Sequence, residues 1–171
     1  MIARPFNIKQ WLDTHRDELK PPVANKNFYP EGTDFIVMIV AGPNNRKDYH
    51  YNETEELFYQ LEGSITIKIQ EEDKAVEVKL DEGDMFLLPP RVPHNPIRPA
   101  GSIGLVVERV RKNTDCKDGL MWFCEACNYP LHSYKFPLDN IEKDFLPRFK
   151  EFYGNVLLRT CKRCGTVMQP L

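Results

Sequence analysis

The chain has 171 residues, with 25 acidic and 23 basic side chains and a formal net charge of -2 at pH 7. This near balance, with no run of five or more like charges, argues against nucleic-acid binding as the main role. No apolar run reaches membrane-spanning length, and the N-terminal sequence MIARPFNIKQWLDTH has no apolar signal-peptide core. We therefore expect a cytoplasmic protein without a membrane partner.

The first predicted element is a helix from about Ile8 to Lys20, with Asn7 as its N-cap. Four apolar side chains share one face of this helix at helical spacing: Ile8, Trp11, Leu12 and Leu19. The helix should end at the two prolines after Lys20, because a proline disfavours the helical conformation of the residue before it. The sequence VANKNFYPEGTD then predicts a loop.

After this loop the hydrophobic period changes to two. Six short segments rich in Val, Ile, Leu and Phe are predicted strands: Phe35–Val40, Leu57–Leu61, Ser64–Gln70, Ala75–Leu80, Met85–Leu88 and Ile103–Arg109. The alternation places Ile65, Ile67 and Ile69 on one face of the third segment. This pattern predicts a mainly β sandwich or barrel, and a jelly roll accommodates the strands without long exposed edges.

A second unit is predicted to begin near Asp115, which divides the chain into residues 1–114 and 115–171. A helix capped by Asp139 or Asn140 should run through about Phe152 and end at Gly154, with Pro147 splitting or kinking it. This unit contains two CxxC pairs, whose members are Cys124, Cys127, Cys161 and Cys164. Four thiolates favour a closed, tetrahedral and therefore structural Zn or Fe site, with a redox disulfide or free thiols as the alternatives.

His50, Glu56 and His94 form a candidate metal site in the first unit. Two histidines and one carboxylate, with open positions, are the ligand set of non-heme Fe(II) oxygenases. Each histidine judged alone is more often a solvated or hydrogen-bonded side chain than a metal ligand. The spacing of the whole frame resembles the two motifs of the cupin superfamily, through these positions: His50-Tyr51-Asn52, Glu56, Gly63, Gly83, Pro89, His94.

The frame departs from the cupin pattern at three positions. Asn52 stands where the second histidine of His-x-His is expected, Arg91 replaces a glycine, and Arg98 replaces the final asparagine. The resemblance implies a double-stranded β-helix, that is, a jelly-roll barrel. It also implies a three-ligand metal site with room for a substrate that chelates the metal through two atoms.

Arg46, Arg98 and Glu108 form a second constellation. An arginine recognises a carboxylate through a planar, bidentate fork, so two arginines near one metal suggest a carboxylate-bearing substrate. A buried Glu108 could hold an arginine or complete a polar wall. Solvated surface arginines and an edge-strand charge at Glu108 are the plain alternatives.

A closer resemblance covers nearly the whole chain in order. The stretches LKPPVANK, GPNNRKDYH, EELFYQLEG, EGDMFLLPPRVPHNPIRP, VVERVR, WFCEAC and TCKRCG are similar to the 3-hydroxyanthranilate 3,4-dioxygenase family. The resemblance implies these site residues: iron ligands His50, Glu56 and His94; substrate-binding residues Arg46, Arg98, Glu108 and Asn25; pocket walls Phe58 and Pro96. It also implies a rubredoxin-like site at the four cysteines, not required for ring cleavage, and a homodimer.

The implied reaction is extradiol-type ring opening with Fe(II). 3-Hydroxyanthranilate and O2 would give 2-amino-3-carboxymuconate semialdehyde, which cyclises without the enzyme to quinolinate, a precursor of NAD in tryptophan catabolism through the kynurenine pathway. Two alternatives remain open at this point. One is ring cleavage of another aminophenol or a catechol, and the other is a non-catalytic cupin that binds a metal or a small acid.

Overall fold

The computed structural model describes residues 4–19, 25–30, 33–139 and 141–170, with the backbone alone at residues 141 and 142. Its helices are α1 (Ile8–His15), α2 (Ile141–Gly154) and α3 (Val156–Arg159), and a 3-10 turn at Arg16–Glu18 follows α1. Its strands are β1 (Asn25–Asn27), β2 (Phe35–Ala41), β3 (Tyr49–Asn52), β4 (Glu56–Glu62), β5 (Ile65–Glu71), β6 (Lys74–Leu80), β7 (Met85–Leu88), β8 (His94–Ile97), β9 (Ile103–Arg109), β10 (Asp118–Phe123) and β11 (Pro130–Phe136). None of the described helices is long and apolar enough to cross a membrane.

The strands form two antiparallel sheets with jelly-roll connectivity. One sheet has the order β1-β2-β9-β4-β7, and the other has the order β11-β10-β3-β8-β5-β6. Among β2 to β9, the first strand pairs with the last, the second with the seventh, the third with the sixth and the fourth with the fifth. This nested pairing confirms the predicted mainly β jelly roll, and α1 confirms the N-terminal helix.

The main core lies where the two sheets face each other. Its buried side chains come from both sheets: Met38, Phe58, Ile65, Ile67, Ile69, Leu80, Leu88 and Val106. The alternation predicted for the third segment is confirmed, since its three isoleucines on β5 are buried. Burying each such side chain contributes roughly 1.5–3 kcal/mol.

The six predicted strands are all present, and each end lies within one residue of its predicted position. Five strands were not predicted, and β1 falls in the segment that we expected to be a loop. The unpredicted β3 (YHYN) and β8 (HNPI) lack the apolar alternation because their inward positions carry polar side chains. In these two strands, polar side chains that face the cavity take the place of the apolar side chains from which a strand is recognised in a sequence.

The segment after residue 114 extends the sheet that contains β3. β10 pairs with β3, and β11 pairs with β10. The helix α2 ends at Gly154 as predicted and continues through Pro147. Pro147 therefore does not split the helix, and the alternative of a kink stays a prediction. Of the two predicted cap residues, Asn140 lies outside the described residues. The division of the chain at 114/115 stays a prediction.

A second core packs α2 against this extension. The Trp122 ring stacks on Phe152 with 4.1 Å between centroids and an interplanar angle of 14°. The other buried members of this core are Leu120, Phe136, Leu138, Phe145 and Met168. This packing fixes α2 beside the jelly roll, which brings Phe145 within reach of the inter-sheet cavity.

Asn7→Ala should lower the free energy of unfolding by about 1 kcal/mol. The Asn7 Oδ1 accepts hydrogen bonds from the amide nitrogens of Lys9 (2.9 Å) and Gln10 (3.1 Å), and alanine leaves both donors without this acceptor. Urea unfolding measures the change. The control Gln10→Ala, at an exposed position in the same turn, should shift stability by less than about 0.5 kcal/mol. Equal losses in the two variants would contradict the cap.

Candidate metal centre and its cavity

A cavity of about 120 Å³ is lined by side chains from both sheets. All nine residues that the sequence assigned to the metal, the substrate or the pocket wall line it: Asn25, Arg46, His50, Glu56, Phe58, His94, Pro96, Arg98 and Glu108. These residues span more than eighty positions of the sequence. The jelly-roll pairing brings them together at one place.

The candidate ligands converge from three strands. His50 on β3 and His94 on β8 are direct register partners, and Glu56 opens β4 in the facing sheet. The Glu56 Oε2 lies 2.9 Å from His94 Nε2 and 3.8 Å from His50 Nδ1. One ligand atom from each residue lies within 4.8 Å of the others, so the three side chains can share one ion.

The hydrogen bonding of this group fits a metal ion. His94 Nδ1 lies 3.0 Å from the Val92 carbonyl oxygen, so a neutral His94 turns its Nε2 lone pair toward Glu56. The Glu56 Oε2 is buried and accepts no hydrogen bond. Two facing lone-pair atoms repel each other unless a cation lies between them, and two imidazoles with one carboxylate suit iron and related metals.

Glu56 and Glu108 have opposite pKa shifts. Burial favours the neutral form of Glu56, but attraction to His94 in its protonated form and then to His50 outweighs it, and the pKa falls to about 2. Burial and then repulsion from Glu56 raise the pKa of Glu108 to about 7. Glu56 is therefore ionised near neutral pH, where Glu108 is only partly ionised.

Arg98 is a buried cation without a partner for one of its nitrogens. Its residue is 3% exposed, and Nη1 has no hydrogen-bond partner among the described residues. Burial lowers the pKa of Arg98 to about 10. Gly104 on β9 provides the space, because a Cβ there would lie 2.8 Å from Nη1. An unsatisfied guanidinium in a cavity is suited to binding an anion.

Arg46 is exposed and paired with an aspartate, whereas Arg98 is buried and has no such partner among the described residues. Its guanidinium donates to both carboxylate oxygens of Asp48, from Nε at 3.0 Å and from Nη2 at 2.5 Å. The same guanidinium lies 5.5 Å from the Phe145 ring centroid and 5.6 Å from that of Phe149. Arg46 is thus held in place by a buried aspartate that the sequence analysis did not identify.

Glu108 lies in an interior strand, since β9 is between β2 and β4. The alternative of an edge-strand charge is therefore wrong. Glu108 Oε2 accepts a hydrogen bond from Asn52 Nδ2 at 3.0 Å and lies 2.9 Å from Arg111 Nη1. Asn52, at the position where the cupin motif has its second histidine, thus orients a carboxylate in the cavity wall.

Asn25, Phe58 and Pro96 complete the predicted set. Asn25 begins β1, Phe58 is fully buried with its ring centroid 5.9 Å from that of His94, and the Pro96 carbonyl accepts a hydrogen bond from Asn44 Nδ2. Phe145 and Leu138 also line the cavity but were not predicted. Both come from the segment after residue 114, and their side chains carry no chemical signal in the sequence.

Asp118 and Arg111 are further residues that sequence reasoning missed. Asp118 Oδ1 lies 2.7 Å from His50 Nε2, and both of its oxygens accept hydrogen bonds from Arg111. Burial would raise the pKa of Asp118, but the bonds from His50 and Arg111 hold that pKa below its ordinary value. Arg111 ends the VVERVR stretch. The charged residues within this otherwise apolar stretch were the only sequence feature that could have pointed to a buried ion pair there.

The four CxxC cysteines form a second cluster. The Sγ atoms of Cys124 and Cys164 are 3.6 Å apart, those of Cys127 and Cys161 are 3.5 Å apart, and no disulfide joins them. Each pair forms a knuckle with the same two backbone hydrogen bonds. The carbonyl of the first cysteine accepts from the amide four positions on, and its own amide donates to the carbonyl five positions on. Gly165, with φ of 76°, provides the left-handed residue of the second knuckle.

Comparisons with known proteins show which family the chain belongs to. The family model for 3-hydroxyanthranilic acid dioxygenase matches residues 1–153. A 3-hydroxyanthranilate 3,4-dioxygenase of Xanthomonas oryzae pv. oryzae is 52% identical over 165 residues, covering 96% of this chain and 92% of that protein. The enzyme of the same name from Burkholderia lata is 46% identical over 162 residues, covering 94% and 92%.

A solved structure of a cupin-2 domain protein from Shewanella frigidimarina is also similar. Its TM-score is 0.49 at 17% identity, and the match covers 61% of this chain and 94% of that chain. The two dioxygenases and the matched family model extend over nearly all of the present sequence. The chain belongs to the 3-hydroxyanthranilic acid dioxygenase family.

Proposed function

We propose that this protein is an Fe(II)-dependent dioxygenase that opens the ring of 3-hydroxyanthranilate. Both atoms of O2 enter the product, 2-amino-3-carboxymuconate semialdehyde. The observation that carries this proposal is the buried, unsatisfied guanidinium of Arg98 in the same cavity as the His50, Glu56 and His94 cluster. The names of the two relatives described above support the same substrate.

His50, Glu56 and His94 would hold the iron. When bound, Fe(II) supplies a Lewis acid with open positions and a route for electrons from the ring to O2. The identity of the metal as iron is part of the proposal, supported by the two-imidazole, one-carboxylate donor set.

The other cavity residues position the substrate. Arg98 binds its carboxylate, and Arg46 contributes a second positive charge whose direction Asp48 fixes. Glu108 presents a buried carboxyl group that is partly protonated near neutral pH, because its pKa is about 7. It can therefore accept a hydrogen bond from a ring substituent when ionised and donate one when protonated. Phe58, Phe145 and the other apolar side chains of the lining exclude water from the ring.

One assay tests the proposal. Protein loaded anaerobically with Fe(II) is mixed with 3-hydroxyanthranilate, air is admitted, and the semialdehyde is followed by its absorbance. We expect product to form in proportion to the loaded iron. Absence of product from fully metallated protein would refute the proposal and favour a non-catalytic metal- or acid-binding cupin. Faster turnover of a carboxylate-free aminophenol or of a catechol would instead point to another ring-cleaving enzyme.

We also propose that the four-cysteine cluster binds Fe or Zn and has a structural role. It ties the turn after β10 to the turn after α3, and the two knuckles face each other as a closed four-thiolate shell requires.

The double variant Cys161→Ser/Cys164→Ser should unfold at a lower temperature and lose the metal of that cluster. Its turnover per iron at the cavity site should stay within about twofold of the wild type, because the cysteines do not line the cavity. Metal analysis, thermal unfolding and the anaerobic assay measure the three quantities. The control Cys116→Ser removes the cysteine outside the cluster and should change none of them. A folded double variant without turnover would refute the structural role.

We propose finally that the protein is a homodimer in the cytoplasm. The family resemblance supports the dimer, and five cysteines without a disulfide suit a reducing compartment. Sedimentation equilibrium at micromolar concentration and fractionation of the source cells test these two statements. A monomer, or recovery outside the cytoplasm, would contradict them.

A further inference from the structure

A carboxylate from beyond residue 114 holds the ring of His50. Asp118 is the first residue of β10, which pairs with β3 so that Asp118 lies opposite Asn52 and Leu120 lies opposite His50. This register brings Asp118 Oδ1 to 2.7 Å from His50 Nε2. Asp118 is fully buried, so no water competes for this bond.

Arg111 clamps Asp118 in this position. Its Nε donates to Asp118 Oδ2 at 2.7 Å, and its Nη2 donates to Asp118 Oδ1 at 2.9 Å. Its Nη1 donates to the Arg109 carbonyl at 2.7 Å and lies 2.9 Å from Glu108 Oε2. Because all three nitrogens of the Arg111 guanidinium are bonded, the guanidinium holds the Asp118 carboxylate in one orientation. Removing one partner of such a buried ion pair is strongly destabilising.

The hydrogen bond determines which nitrogen of His50 is available to a metal. An ionised aspartate only accepts, so His50 Nε2 must carry the proton and donate it. The Nδ1 lone pair then faces Glu56 Oε2. His94 achieves the same result through a backbone carbonyl, at Val92, which no substitution removes. Of the two histidines, His50 is thus the one whose orientation depends on a replaceable side chain.

We propose that Asp118, clamped by Arg111, is a positioning residue that fixes the tautomer and ring orientation of His50 for the metal. This inference rests on the proposed function in that His50 is taken to bind the metal. It extends that function to a carboxylate outside the predicted catalytic unit. It also means that β10 supports the metal centre directly.

The affinity for Mn(II) tests the proposal without relying on turnover. Mn(II) prefers nitrogen and oxygen ligands over the four thiolates, and the EPR signal of the free ion falls as it binds. We expect Asp118→Asn to weaken Mn(II) binding by about 10- to 100-fold. The amide can donate to or accept from His50, so it no longer selects one tautomer.

The matched control is Asp48→Asn. Asp48 is also a buried aspartate with a bidentate arginine partner in the cavity, but its bonds run to Arg46 rather than to a candidate ligand. Its Mn(II) affinity should stay within about twofold of the wild type. His94→Ala identifies which binding event belongs to this site. Equal losses in Asp118→Asn and Asp48→Asn would reduce the role of Asp118 to general packing and overturn the proposal.

A second measurement reads the tautomer in metal-free protein. Selective nitrogen-15 labelling of the four histidines, with the His50 signal identified by its loss in His50→Gln, reports which ring nitrogen is protonated. We expect the Nε2–H form in the wild type and a mixture in Asp118→Asn. The Nδ1–H form in the wild type would overturn the proposal.

Arg111→Lys provides a milder test if Asp118→Asn does not fold. It keeps both charges of the pair but removes the fork, so we expect a smaller loss of Mn(II) affinity in the same direction. Unchanged affinity in the variants that fold overturns the positioning role. A wild type that binds Mn(II) through His94 but does not cleave 3-hydroxyanthranilate with Fe(II) would refute the proposed function alone.

Discussion

The variant His94→Ala is expected to lose one equivalent of iron per chain and all measurable turnover. Its Nε2 lies 2.9 Å from Glu56 Oε2, and its other ring nitrogen is held by the Val92 carbonyl, so the imidazole has one direction in which to bind. Alanine leaves one histidine and one carboxylate, too few ligands to retain a metal during desalting. Metal analysis and the anaerobic ring-cleavage assay measure both losses.

The matched control for this variant is His132→Ala. His132 is a half-buried histidine on β11 whose ring contacts Tyr134, and it does not line the cavity. This control should keep its iron and its turnover per iron. The metal of the four-cysteine cluster should remain in both variants. Turnover that survives in His94→Ala would show that the ligand assignment is wrong.

Arg98→Met is expected to lower kcat/KM for 3-hydroxyanthranilate by about 100-fold, or about 2.7 kcal/mol. Methionine fills much of the same space but offers the substrate carboxylate no charge and no hydrogen bond. The same change should raise the free energy of unfolding by about 1–3 kcal/mol, because it removes a buried guanidinium whose Nη1 has no hydrogen-bond partner among the described residues. Steady-state kinetics and urea unfolding measure the two effects, which have opposite signs for function and stability.

Two comparisons sharpen the Arg98→Met result. A carboxylate-free aminophenol should be a poor substrate of the wild type, and its kcat/KM should change by less than about threefold in the variant. Arg109→Met, at an exposed position next to Glu108, should alter neither kinetics nor stability by a comparable amount. If Arg98→Met lowered the rates for both substrates equally, carboxylate recognition by Arg98 would be excluded.

The sequence alone predicted the strands whose two faces differ in polarity. In β5 the buried isoleucines alternate with half-buried polar residues, and this period-two pattern is a local property of the chain. The same reasoning missed β3 and β8, because their inward residues are the polar side chains of the cavity, His50 and His94 among them. Two of the three strands that carry the candidate ligands were therefore missed by the sequence pattern.

The resemblance of the sequence to the cupin motifs also predicted the candidate ligands, and residue type suggested the two arginines near them, because residue type and interval are properties of the chain itself. Only the tertiary structure decided how the charges pair. Asp48 pairs with Arg46, whereas Nη1 of Arg98 has no partner among the described residues, and Asp118 reaches His50 across 68 positions of sequence. The physical reason is that the strength of an ion pair depends on distance and burial. Both quantities are set here by the register of β3 with β8 and β10, which no local pattern encodes.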